Sequence, residues 1–258
     1  MNSVPLVLHQ VRYTNKSFWR NPPSAFFTGV FPIMFLILFP LLFGSGKTRV
    51  GATEEVSTST FYVPAIAAFS IITACYTNIA ISVSIARDLG ILKRVRGTPL
   101  PAWAYLAGRI VHAVLVALLL LVICVVYGLI FYKVHPPAAS LPAFVITCVV
   151  GAAAFCALGL AVTTIIRNSE AAPAVANATI LPLLFISNIF IPLQSAPSWL
   201  DTLSKVFPVR HFADAMLTAY FTPPGGSAWS GGDLLVLAIW GAAGLFVAAR
   251  RFSWDSGR

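Results

Sequence analysis

Six long apolar runs dominate this chain, and shorter polar segments separate them. Each run has about 20 residues or more, which is the length that an α-helix needs to cross the hydrocarbon core of a bilayer. The apolar positions follow one another without a period of two, so the pattern predicts helices. The six predicted membrane spans lie near residues 25–44, 61–86, 103–132, 141–166, 173–192 and 232–250.

The composition places this pattern in lipid. Of the 258 residues, 58% are hydrophobic and only 10% are charged, which is too few to cover a water-soluble globule with polar surface. The sequence therefore predicts an all-α polytopic membrane protein, with residues 1–258 forming a single transmembrane domain.

The basic residues predict the orientation of the spans. If the N-terminus is cytoplasmic, the whole net charge of +9 falls on the cytoplasmic side and the outer side is neutral. The positive-inside rule then predicts a multi-pass protein of the plasma membrane with both termini in the cytoplasm. A charge placed in this way indicates contact with anionic lipid headgroups and not with nucleic acid.

The first 23 residues precede the first span and contain a basic, amphipathic pattern. Arg12, Lys16 and Arg20 are four residues apart and share one helical face, while apolar residues occupy another face. This pattern predicts a helix that lies in the membrane interface. The alternative is a simple positive-inside anchor. A removable signal peptide is not expected, because the following apolar run has spanning length and no small-residue cleavage site.

The loop between the second and third spans, residues 87–101, is the most basic segment of the chain. Helical spacing of its apolar and basic positions, followed by Gly97 and then proline, predicts one short helix in the cytoplasm. Asp88 is the only acidic residue of this loop, and its carboxylate is expected to cap the short helix that follows. A short charged helix below two spans is a surface for a partner, and the candidate contact residues are Arg87, Asp88, Leu89, Gly90, Leu92, Lys93, Arg94, Arg96, Thr98 and Pro99.

A second segment with mixed polarity, residues 194–231, lies between the last two predicted spans. Apolar residues recur there at helical spacing both before and after Pro208, which predicts two short amphipathic helices on the outer side. Their apolar faces need cover, so we expect this outer re-entrant segment to dip into the outer leaflet.

No segment carries a convincing catalytic or metal-binding pattern. Gly44-Ser45-Gly46-Lys47-Thr48 resembles the end of a phosphate-binding loop, but the first glycine, the preceding strand and the following helix of that motif are missing. The four cysteines lie in apolar runs without metal-ligand spacing, and the four histidines are scattered. We therefore expect no catalytic residue, no metal site and no cofactor in this chain.

The spans also lack carboxylates near the membrane midplane, which a carrier driven by an ion gradient would usually need. A transport pathway powered from outside the chain is therefore the preferred interpretation, and an ion-gradient-driven secondary transporter is the alternative.

The loop after the second span resembles the corresponding segment of ABC-2 type transporter permease subunits, including daunorubicin-resistance and nodulation exporters. In that family an acidic-x-Gly pattern leads into basic residues and closes on Thr-Pro, which here reads Asp88-Leu89-Gly90, Lys93-Arg94 and Thr98-Pro99. A Pro-apolar-x-His element before the last span is matched by Pro208-Val209-Arg210-His211. Two features depart from the family pattern: Ala86 replaces a glutamate, and the basic or glutamine residue after His211 is missing, so no defined role follows for Arg210 or His211.

The resemblance implies a permease subunit of an ATP-driven bacterial exporter. Its partners would be separate ABC ATPase subunits, which bind ATP and magnesium, and a second permease copy or paralogue. The N-terminal helix and residues 87–101 would contact the ATPase, and Asp88 would pair with one of its arginines. The substrate would be hydrophobic or amphipathic, such as a drug, a lipid or a glycolipid. Aromatic residues that could line an apolar path are Phe69, Tyr76, Phe185 and Phe190. The alternative for each of them is contact with lipid or packing within the protein.

Overall fold

The structure is a computed structural model that describes residues 3–43, 46–50, 54–98, 100–191, 197–222 and 226–252. It begins with an amphipathic helix, α1, and continues into a first apolar helical segment that contains one π-helical turn. These elements are α1 (Ser3–Trp19), α2 (Pro22–Ala25), the π-helical turn Phe26–Val30 and α3 (Phe31–Phe43). The helix predicted within the first 23 residues is therefore present as α1.

A small antiparallel hairpin follows, formed by β1 (Lys47–Val50) and β2 (Glu54–Ser57), in a loop for which no regular structure was predicted. Lys47 pairs with Ser57 and Val50 with Glu54. The β-branched residues in both strands favour this extended pairing. Apart from this hairpin, the regular structure in the described part of the chain is helical.

The second span is one long helical segment with a π-helical turn in its middle. It comprises α4 (Thr58–Ile72), the turn Thr73–Thr77 and α5 (Asn78–Asp88). A short helix then leads into the longest helix and its antiparallel neighbour. These three helices are α6 (Ile91–Arg96), α7 (Ala102–Tyr132) and α8 (Leu141–Val162).

The rest of the chain forms a shorter apolar helix, two short helices and a final long helix. These are α9 (Ala171–Phe185), α10 (Ser198–Ser204), α11 (Pro208–Tyr220) and α12 (Gly231–Arg251). The two amphipathic helices predicted around Pro208 are therefore present as α10 and α11.

Among the described residues, five helical segments are long and apolar enough to cross a membrane. They correspond to the first, second, third, fourth and sixth predicted spans: Phe26–Phe43, Thr58–Asp88, Trp103–Tyr132, Leu141–Val162 and Gly231–Arg251. The run at 173–192, predicted as the fifth span, forms only the 15-residue helix α9. The helix stops early because the chain turns at Ile186–Phe190, where Asn188 adopts a left-handed conformation with φ of 63°.

The second span lies at the centre of the bundle. Its most apolar window is 72% buried, whereas the windows of the first and last spans are only 22% and 17% buried. A helix with a large exposed apolar surface needs lipid or another subunit around it. The last span packs on α8 through small residues: a Cβ atom added at Gly241 would lie 3.1 Å from Ala154 Cα. Small residues at this contact allow the two helices to approach each other closely.

The bundle has two ends, which we call the α6 end and the α11 end. The α6 end gathers α6, α1, the turn between α8 and α9, and Phe252, which packs near Leu92 and Tyr105. The α11 end gathers α10, α11 and the turn after α9. Ser140, before α8, donates a 2.6 Å hydrogen bond to the Ala219 carbonyl of α11.

Candidate functional site

The helix α6 is held on the bundle by one buried side chain. Leu92 is fully buried and packs with Ala86 of α5 and Tyr105 of α7. Its neighbours Leu89, Lys93 and Arg94 are exposed. The short helix predicted in the loop is thus present, and it presents two basic side chains beside an exposed leucine. Leu92 anchors the helix from below and is not available to a partner in this conformation.

The chain enters α6 through a left-handed glycine. Gly90 has φ of 69°, a conformation that other residues rarely adopt, and it occupies the N-cap position of α6. Gly90 has no side chain with which to cap α6, and the Asp88 carboxylate, which was expected to cap this helix, contacts Ser169. Thr98 closes the loop by donating a 2.7 Å hydrogen bond to the Val95 carbonyl. Pro99 and the side chain of Arg96 lie outside the described part of the chain.

Arg87 and Asp88 point towards the turn between α8 and α9. The Arg87 guanidinium is buried and donates hydrogen bonds to the carbonyl oxygens of Thr163, at 2.9 Å, and Ile166. Asp88 Oδ2 accepts hydrogen bonds from the backbone N–H of Ser169, at 3.2 Å, and from its hydroxyl, at 2.6 Å. Sequence reasoning placed both residues on an exposed loop. Their contacts inside the chain could not be read from spacing, because the partners are about 80 residues away.

The helix α1 adds further basic residues at the α6 end. Arg12, Lys16 and Arg20 are exposed, as the predicted amphipathic face requires. The opposite face packs on α7, where the Phe18 ring lies 5.4 Å from the ring of the buried residue His112. Two basic surfaces, one on α1 and one on α6, therefore lie at the same end of the bundle.

The predicted aromatic path residues fall into two groups. Phe69 and Phe190 are buried with ring centroids 5.1 Å apart, and Phe185 lies 5.2 Å from Phe190 with 52% of its surface exposed. Tyr76 is separate: its hydroxyl lies 2.7 Å from the Thr179 hydroxyl of α9. In this conformation the buried rings of Phe69 and Phe190 pack inside the subunit, and Phe185 is the ring with substantial exposure.

Phenylalanines of the first span complete this cluster, and sequence reasoning missed them. Phe35 contacts both Phe69, at 5.8 Å, and Phe190, at 5.4 Å, and Phe39 contacts Phe190 at 5.5 Å. Their four-residue spacing places them on one face of α3, which is the signal that could have identified them. The cluster joins the first span, the second span and the turn after α9.

Arg210, for which the sequence indicated no defined role, occupies a charged network at the α11 end. It pairs with Asp214 of its own helix and, at 3.6 Å, with Asp201 of α10. Burial raises the pKa of Asp214, against the lowering effect of the Arg210 charge and of the Asn188 amide. The hydrogen bond from Lys205 is the main cause that lowers the pKa of Asp201.

His211 joins the same region to the last span. Its Nδ1 atom lies 2.6 Å from Asp233 Oδ1 of α12, and its Nε2 atom lies 2.7 Å from the Lys205 carbonyl oxygen. A carbonyl oxygen can only accept, so Nε2 donates to it. These contacts tie the end of α10, the start of α11 and the start of α12 together, a structural role that the scattered spacing of the histidines did not reveal.

Comparisons with known proteins identify the family of this chain. A profile of the family described as "ABC-2 type transporter" matches residues 6–221. The chain is 29% identical over 162 residues to the "Probable multidrug ABC transporter permease YbhR" of Escherichia coli K12, which covers 62% of this chain and 43% of that protein. The chain thus spans less than half the length of that relative.

Two further relatives match over a larger share of their length. The "Daunorubicin resistance ABC transporter permease protein DrrB1" of Streptomyces coeruleorubidus is 28% identical over 190 residues, covering 71% of this chain and 64% of that protein. The "Inner membrane transport permease YadH" of Escherichia coli K12 is 24% identical over 211 residues, covering 79% and 81% respectively.

Proposed function

Because the chain belongs to the ABC-2 type transporter family, we propose that it is the permease subunit of an ATP-driven exporter. In this proposal separate ATPase subunits bind ATP and magnesium, and the permease supplies the translocation path. Two permease copies, or this chain and a paralogue, enclose that path in the plasma membrane. The protein makes and breaks no covalent bond itself.

One observation carries the proposal: α6 is anchored on the bundle by the buried Leu92 while Leu89, Lys93 and Arg94 remain exposed. A short helix fixed in this way can receive a force from a soluble partner and pass it to the bundle. The exposed Arg12, Lys16 and Arg20 of α1 enlarge the basic surface at the same end. Complementary charge would steer an acidic partner surface towards it.

The substrate class is proposed from the aromatic cluster and from the relatives. The exposed ring of Phe185 continues the buried rings of Phe190 and Phe69, and such a surface suits a hydrophobic or amphipathic molecule. Two relatives are named for multidrug transport and for daunorubicin resistance. A drug-like or lipid-like substrate is therefore the class to test first.

The decisive experiment uses the purified chain in lipid vesicles, with and without its proposed ATPase partner. Alone, the chain should neither hydrolyse ATP nor move fluorescent daunorubicin under a proton or sodium gradient. With the ATPase and ATP it should move the drug. Gradient-driven uptake by the chain alone would support the alternative, an ion-coupled secondary transporter, and would refute the proposal.

The contact surface can be tested in the same system. Replacing Lys93 and Arg94 together with glutamine should weaken ATPase binding roughly tenfold, with the largest effect at low salt, because charge steering is screened by ions. Lys47→Gln is the matched control, since Lys47 is exposed in β1, away from the α6 end. Equal binding by the double variant and the control would show that α6 is not the docking surface.

A further inference from the structure

The end of the second span holds the start of α9 through opposite charges on adjacent residues. Arg87 is the last basic residue of α5, only 6% exposed, and its guanidinium meets carbonyl oxygens just beyond the end of α8. Asp88 is the next residue, and its carboxylate meets the N–H and hydroxyl of Ser169 just before α9 begins.

Each charge suits the helix end that it meets. The C-terminal end of a helix exposes carbonyl oxygens and carries a partial negative charge, whereas the N-terminal end exposes N–H groups and carries a partial positive charge. Arg87 therefore donates hydrogen bonds to free carbonyl oxygens at the end of α8, and the Asp88 carboxylate faces the beginning of α9. The turn is further ordered by Asn168, whose Oδ1 atom accepts a 2.8 Å hydrogen bond from the Ala171 N–H.

The same two residues stand directly before α6. Only Leu89 and Gly90 separate Asp88 from the first residue of that helix, and Leu92 is buried against α5 and α7. A displacement of α6 must therefore reach Asp88 across two residues, and from Asp88 it passes directly to Ser169. The connection from α6 to α9 contains no long flexible segment.

The helix α9 carries this connection to the aromatic cluster. Its 15 residues span about 22 Å at the usual helical rise. Thr179 contacts Tyr76 along the way, and Phe185 at the far end contacts Phe190. A shift at Ser169 would therefore move Phe185, which lies at the exposed end of the proposed substrate path.

We propose that Arg87 and Asp88 are positioning residues that transmit movement of α6 to α9 through Thr163, Ile166 and Ser169. This inference rests on the proposed function of the chain, and it differs from the expectation that Asp88 pairs with an arginine of the ATPase. In the present proposal the carboxylate acts inside the permease, and a partner acts on α6.

The test exchanges the side chains of Asp88 and Ser169 in the reconstituted complex. The measured quantity is the amount of daunorubicin moved per ATP hydrolysed. Asp88→Ser alone should lower this ratio roughly tenfold, since it removes a charge-assisted contact. Asp88→Ser combined with Ser169→Asp places the carboxylate on the other side of the same contact and should restore at least about a third of the ratio, if the pair interaction is what matters.

The outcomes separate the two roles of Asp88. Failure of the exchange to restore the ratio, or an unaltered ratio in Asp88→Ser, overturns the inference, because a carboxylate that contacts the ATPase cannot be replaced from position 169. If Asp88→Ser does not fold, Ser169→Ala decides: it removes only the hydroxyl donor and should lower the ratio, and an unaltered ratio overturns the inference.

The matched control is Ser227→Ala at the α11 end, which should leave the ratio at the wild-type value. If the wild-type complex itself moves no daunorubicin with ATP but accumulates it under an ion gradient, the proposed function fails first. A defect confined to the exchange variants, with an active wild type, concerns the inference alone.

Discussion

The contact between α8 and the π-helical turn of the second span predicts a strong effect of one added methyl group. At Gly159, a Cβ atom would lie 2.7 Å from the Tyr76 carbonyl oxygen and 3.2 Å from both the Cys75 carbonyl oxygen and Tyr76 Cα. All three atoms belong to the backbone, so no side-chain rotation can relieve the overlap. Gly159→Ala therefore requires α8 and the second span to separate.

The size of the effect follows from the distances. An ordinary contact between carbon and carbonyl oxygen is about 3.3–3.6 Å, so the 2.7 Å distance must grow by roughly 0.6–0.9 Å. Overpacking of this kind costs about 1–3 kcal/mol. Alanine regains up to about 1 kcal/mol through its higher helix propensity. The net loss is therefore best measured against another Gly→Ala change in a helix.

Gly232→Ala is that control, because a Cβ atom at Gly232 of α12 meets nothing within 4 Å. We expect Gly159→Ala to unfold roughly 3–10 °C below Gly232→Ala, from the usual relation between free energy and melting temperature for chains of this size. The four cysteines are all buried, so a thiol-reactive fluorescent dye reports unfolding in detergent directly. Equal melting temperatures for the two variants would refute the close contact between α8 and the second span.

Two further predictions concern orientation and the α11 end. In a cysteine-free background, Ser227→Cys should react with a membrane-impermeant reagent in intact cells and Lys93→Cys should not, because the positive-inside rule places the α6 end in the cytoplasm; the reverse labelling would invert the topology. His211→Ala should cost about 1–3 kcal/mol, since it leaves Asp233 and the Lys205 carbonyl without the imidazole, whereas Lys205→Ala, which removes an exposed ion pair, should cost at most about 1 kcal/mol. Equal melting temperatures for these two variants would contradict the bridging role of His211.

The sequence predicts the long helices well because continuous apolar runs depend on local composition alone. Five of the six predicted spans correspond to the long apolar helices of the described residues. The fifth predicted span is shorter in the structure, because the chain turns where Asn188 adopts a left-handed conformation. An apolar run in the sequence gives no sign of such a turn. The hairpin of β1 and β2 was missed for a related reason, since two four-residue strands carry little periodic signal.

The contacts of charged residues could not be predicted from the sequence. Arg87 binds carbonyl oxygens, which every residue possesses, so nothing in the sequence marks Thr163 and Ile166 as its partners. Asp88 and Ser169 are 81 positions apart, and His211 and Asp233 are 22 positions apart in different helices. Such pairs form only when the packing of the spans brings distant segments together. The resemblance of the loop to a family drew attention to Asp88, but the direction in which its carboxylate points required the structure.

The π-helical turn at Thr73–Thr77 determines how the two ends of the second span are rotated relative to each other around the helix axis. Each such turn accommodates one residue more than the regular α-helix around it. One residue corresponds to a rotation of about 100° around the helix axis. Phe69, before the turn, therefore faces the aromatic cluster while Arg87, after it, faces the end of α8. Related chains that lack this turn would differ in length by one residue inside the membrane, and a correct alignment would place its gap there instead of in a loop.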